Sequence, residues 1–180
     1  MHTLSSQRGA MFGLDARIAL AIFGGLAIIV GMSIASIVQE IKVTQIITQA
    51  DNTSKAITQY ILDTGLRPTA ATMTDLNADS GATGWNGPYL PFEGSGSLTT
   101  TGLLYYCDSA TGNEAMDIPT CSCTATACNA WLLLFVSTTI AEAIDLKVDG
   151  VAGSDSGKVR TDPASRVAIE LLPVKQSVRQ

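Results

Sequence analysis

Four cysteines, Cys107, Cys121, Cys123 and Cys128, crowd one stretch of this chain, and thiols at that density either bind a metal or pair with one another. Cys-x-Cys followed by four residues and another Cys is not the spacing of a zinc knuckle. An even count in an exported segment predicts disulfides, with three possible pairings. A Cys121–Cys123 bond would close a strained ring across a single residue, so each is expected to reach Cys107 or Cys128. Farther on, Asp145, Asp149 and Asp155 lie among Gly and Ser, and such carboxylates can offer hard oxygen ligands to calcium. Their spacing lacks the EF-hand pattern, and Asp149-Gly150 reads equally as a turn.

Nothing else points to catalysis. The single histidine, His2, stands near the N-terminus, which leaves no Ser/His, Cys/His or metal/His arrangement in the body of the chain. No Walker or GxGxxG loop occurs, and Gly94-Ser95-Gly96 is a flexible turn with no helix after it. The expectation is a protein that is not an enzyme and needs no cofactor, calcium being the open option. With 11 Lys and Arg against 16 Asp and Glu the net charge is −5. Without a basic patch to displace counterions, no nucleic acid is expected as a partner.

The element that must position all this begins near the N-terminus. Ile18 to Val38 contains no charged residue, and at ~1.5 Å per residue such a run spans ~30 Å, the hydrocarbon thickness of a bilayer. Asp15 and Arg17 introduce it. A secretory signal would carry small residues after its apolar core; here Gly9 and Ala10 come before it. Arg8 and Arg17 on one side against Lys42 on the other give a weak positive-inside bias. Gly24, Gly25 and Gly31 each weaken a helix by about 1 kcal/mol, and small residues let helices approach closely in lipid.

From Gln39 to Asp63 there is no Pro or Gly. Ile37, Ile41, Ile46/Ile47, Ala50, Ile57 and Tyr60/Ile61 recur at helical spacing, with Glu40, Lys42, Gln49, Asp51 and Lys55 on the opposite face. Gly65 and Pro68 end the pattern. Thr69 to Gly84 reads as an irregular loop with a short turn at Thr74-Asp75-Leu76. Thr99 to Tyr106, Trp131 to Val136, Lys158 to Thr161 and Val167 to Leu172 have strand composition, and Pro173 suits an edge or an end. Thr139 to Glu142 has capping-box spacing and is expected to open a helix reaching about Leu146. Three or four antiparallel strands against one long helix make an α+β domain.

Gly9-Ala10-Met11-Phe12-Gly13-Leu14-Asp15 ahead of an apolar run resembles the class III leader of type IV pilins and type II secretion pseudopilins. That resemblance implies a leader over 1–10, removed by a prepilin peptidase at the Ala10–Met11 bond, with N-methylation of Met11. Asp15 then becomes the fifth mature residue, where the family normally has Glu to compensate the N-terminal amine of a neighbouring subunit. Ala10 stands where Gly is usual, and a cut after Gly9 would put the acid one residue late. Gly24 falls where the family has a helix-melting Gly, and Met32 where it has Pro.

Tyr60 to Pro68 resembles the helix exit of this family. Trp85-Asn86-Gly87-Pro88-Tyr89 is similar to its packing turn, although exposed aromatics can also bind carbohydrate. Ala143 to Arg160 resembles the loop before its last strands, where some pseudopilins bind calcium. The implied layout is a helix over 11–64, membrane-spanning over 18–38, and a pilin-like domain over 65–180 with a cysteine loop at 107–128. The implied function is a subunit that polymerises with copies of itself into a type IV pilus-like filament, or a type II secretion pseudopilin. Its partners would be prepilin peptidase, the assembly machinery and the bacterial inner membrane, with the domain in the periplasm. A membrane-tethered binding module that never polymerises is the reading from another class.

Overall fold

The computed structural model describes residues 8–69, 73–90, 102–108, 127–153, 156–162 and 165–175. Helix α1 runs over Arg8–Thr64, and β1 (Leu103–Asp108), β2 (Ala127–Phe135), α2 (Thr138–Val148), β3 (Val159–Asp162) and β4 (Arg166–Lys175) follow. The chain divides into two compact units, Met1–Ile41 and Lys42–Gln180. The fold is α+β, a long N-terminal helix packed against a small antiparallel sheet, as expected. Its first residue precedes the expected start at Met11, because nothing in Arg8-Gly9-Ala10 stops a helix already formed beyond them.

The four strands lie in the order β1-β2-β4-β3, every neighbouring pair antiparallel. Side chains alternate between faces at period two. Leu104, Tyr106, Ala130, Leu132, Leu134, Val167 and Ile169 enter the main core, whereas Cys107, Trp131, Leu133 and Ala168 form a second cluster with Leu103 and Tyr105. Burial on both faces explains why β2 reads as an unbroken apolar run, Trp131 to Leu134. Pro173 sits in β4 opposite Asn129 of β2. Beyond Glu170, whose N–H donates to the Lys158 carbonyl at 2.7 Å, β3 no longer flanks it.

The domain's share of α1 buries Val43, Ile46, Ala50, Thr53, Ile57 and Tyr60, one seam at alternating three- and four-residue steps. Ile37 and Ile41 of the expected stripe are exposed. Thr53 tolerates full burial because its hydroxyl donates to the Gln49 carbonyl at 2.8 Å. Ser54 ties the helix to the sheet, donating to the Leu171 carbonyl at 3.1 Å. Helix α2 adds Ala141 and Ile144 to the same core. Its N-cap is Ser137, not Thr139: the Ser137 carbonyl accepts from the N–H groups of Ile140 and Ala141, both at 2.9 Å. The expected capping box therefore does not form, and the helix starts earlier.

The exit of α1 is fixed by backbone geometry. Gly65 takes φ +70° and donates to the Ile61 carbonyl at 2.9 Å, a left-handed C-cap. The Trp85 to Tyr89 turn closes on this end. Tyr89 meets Tyr60 edge-on at 5.6 Å and Trp85 at 5.8 Å, its hydroxyl donates to Asp63 Oδ2 at 3.0 Å, and Trp85 Nε1 donates to the Asp75 carbonyl at 2.9 Å. Gly84, at φ +89°, passes so close that a Cβ there would lie 2.3 Å from the Asp63 carbonyl oxygen. At Gly65 a Cβ would meet nothing within 4 Å. Gly65→Ala should therefore cost only the left-handed penalty, ~1–2 kcal/mol. Gly84→Ala should cost clearly more, on the order of 3 kcal/mol, since backbone must also shift. Equal denaturation midpoints for the two variants would contradict the close approach.

Candidate functional site

The apolar half of α1 is the most conspicuous surface of the described structure. Leu14, Ile18, Leu20, Ile22, Phe23, Leu26, and on to Ile37 and Ile41, are all exposed, Leu20 and Phe23 at 74%. A helix buried in a protein core would show one covered stripe. This half shows none among its described side chains. Among the described residues α1 is the one helix long and apolar enough to cross a membrane by length and composition, a property it would share with a signal sequence.

Charged groups bracket this surface. Asp15 and Arg17 precede it, Glu40 and Lys42 follow it, and all four are exposed. None forms an ion pair among the described residues, in contrast to Asp51–Lys55 and Asp162–Arg166. The Ala10–Met11 bond lies within the first turns of α1. The side chains of Gly9, Ala10 and Met11 are outside the described residues, as is His2.

The other expected site residues lie in the sheet domain. Cys107 on β1 and Cys128 on β2 are buried, and both are disulfide-bonded. Their strands are adjacent, Cys128 standing opposite Asp108. Cys121 and Cys123, which decide the pairing, lie outside the described residues, as does the turn at Gly94–Gly96. Asp145 is fully buried on α2. Asp149 caps the connection to β3, its Oδ2 accepting the Val159 N–H at 2.7 Å. Asp155 is outside the described residues, and no group of three or more His, Cys, Asp or Glu suited to a metal occurs among those described.

One polar cluster has no signature in the sequence. Arg67 is buried beneath the helix exit, its guanidinium 5.4 Å from the centre of the Tyr106 ring, within the reach of a cation–π contact. Asp75, also buried, accepts the Thr69 N–H on Oδ2 at 2.6 Å. The Pro after Arg67 predicts an extended backbone there, but nothing periodic announces that these side chains turn inward. Burial pushes the Tyr106 phenol well above its ordinary range; Arg67 acts against that shift, and Asp75 and Tyr60 reinforce it.

Comparison with protein-family models, with curated proteins and with solved structures finds no match to this chain. The architecture and the apolar helix therefore carry the functional argument.

The tyrosine has a consequence for stability. An unfolded tyrosine loses its proton near pH 10.0, while the folded chain holds the Tyr106 proton to higher pH. The folded state then binds more protons than the unfolded one above ~pH 10, so the contribution of Tyr106 is complete below that pH and is lost as pH rises, by at most ~1.4 kcal/mol per unit. Urea titrations of the protein in detergent across the alkaline range should show this fall, and Tyr106→Phe should flatten it. An unchanged slope in that variant would assign the alkaline loss to other groups.

Proposed function

We propose that this chain is a pilin-like structural subunit. The first part of α1 holds it in a bacterial inner membrane with the sheet domain in the periplasm, and the same helix later joins copies of the chain into a type IV pilus-like filament. The observation that carries this reading is the uncovered apolar run, in one helix with the segment on which the sheet domain is built. Lipid tails and apolar side chains of other copies solvate such a surface about equally well, so transfer from bilayer to filament costs little. A stalled anchor needs only the lipid; a subunit needs both.

In this reading prepilin peptidase cuts the Ala10–Met11 bond and Met11 is N-methylated. Asp15, at the edge of hydrocarbon where a lone carboxylate is costly, then compensates the amine of a neighbouring subunit. The cysteines brace the periplasmic domain, an oxidising setting suited to them. A type II secretion pseudopilus would use the same subunit design.

Mass spectrometry of the mature protein should find N-methyl-Met11 at its N-terminus. An intact Met1, or a cut beyond the apolar run, would instead favour a tethered binding module. Asp15→Ala should leave membrane insertion unchanged while lowering filament yield about tenfold or more, the equivalent of ~1.4 kcal/mol per contact. Filaments at normal yield from that variant would remove Asp15 from assembly.

A further inference from the structure

The charged residues at the two ends of the apolar run repeat one arrangement. Asp15 and Arg17 are two residues apart, and so are Glu40 and Lys42. Residues at that spacing point to opposite sides of a helix, so neither acid reaches the base beside it. At ~3.6 residues per turn, Asp15 and Glu40 are nearly seven whole turns apart and fall on the same side. The helix thus carries an acid at each end of one face and a base at each end of the other.

Side-chain size adds to this at four positions. Ile22 and Ile29, both exposed, lie on the acidic face, and Gly24 and Gly31 lie on the opposite face two residues farther along. A Cβ built on either glycine meets nothing within 4 Å. The acidic face carries bulk at these two positions, and the basic face carries two glycine notches on either side of the exposed Ile28.

We propose that these two faces dock on each other in neighbouring copies of this chain, side by side and parallel, with an axial offset of two residues. That single offset, ~3 Å, sets Asp15 against the neighbour's Arg17, Glu40 against the neighbour's Lys42, Ile22 over Gly24 and Ile29 over Gly31. Copies inserted in one orientation lie at nearly the same depth in a bilayer, so the contact is available before any filament forms. Different surfaces meet, which makes the contact heterologous, and heterologous contacts repeat into rings or open helical arrays. The proposal rests on the membrane-helix reading above and names the partner of that helix.

The test uses full-length chain, labelled with donor or acceptor dye and reconstituted in vesicles of phosphatidylethanolamine and phosphatidylglycerol, with association read by energy transfer. Asp15→Arg alone sets base against base at the first end of the contact and Arg17→Asp alone sets acid against acid there, so each should associate about fivefold more weakly than wild type, the scale of one partly exposed ion pair. Mixing the two variants restores opposite charges across the contact and should restore association. Gly31→Leu, which fills the notch that receives Ile29 without altering charge, should weaken association as well. Variants that associate like wild type, or a mixture that stays weak, would overturn the docking while flotation with the vesicles keeps the membrane reading intact. A chain that fails to float overturns both.

Discussion

Apolar surface must be taken from water, and the first half of α1 is where this chain leaves that requirement unmet within itself. Burying a large aliphatic or aromatic side chain is worth ~1.5–3 kcal/mol, and more than ten such residues stand exposed between Leu14 and Ile41. The total is on the order of 20 kcal/mol of transfer free energy available to whatever covers this surface. An exposed apolar surface of this extent marks a contact surface, and by length and composition the helix is that of a membrane span or of a signal sequence.

The domain's part of the helix meets the same requirement internally. From Val43 the buried positions step through Ile46, Ala50, Thr53, Ile57 and Tyr60, and the sheet closes on them. Because that seam ends at Tyr60, one turn before the chain leaves the helix, the exit must be held in place. Gly65, the Tyr60–Tyr89–Trp85 edge contacts and the close passage of Gly84 serve that end. Arg67 and Asp75 are buried just behind it.

Periodicity and turn chemistry made much of this legible in advance. The long helix, its glycine stop, the turn at Thr74–Leu76 and the strand at Trp131 all follow from local pattern, because each is dictated by side chains near in sequence. The misses are long-range or self-satisfied. Thr53 is polar yet wholly buried, and only its hydrogen bond to Gln49 explains that. Ile41 is apolar yet exposed, since the seam that packs begins at Val43. The helix-capping box at Thr139 failed because Ser137 already offered its carbonyl to the first turn. Arg67 and Tyr106 meet across a separation of 39 positions, a contact no local window contains.

The charges flanking the apolar run bear on how the proposed filament would satisfy its ends. Arg17 and Lys42 have long stems and can lift their cationic ends toward water from a partly buried position. Asp15 is short and cannot. Its neighbour in sequence points away from it, so in the proposed filament its carboxylate takes its donor from another copy. An ionised carboxylate accepts from several donors at once. In the proposed filament a terminal amine and a guanidinium from adjacent copies are therefore compatible claims on Asp15, and each would be strengthened by the low dielectric that makes the lone acid costly.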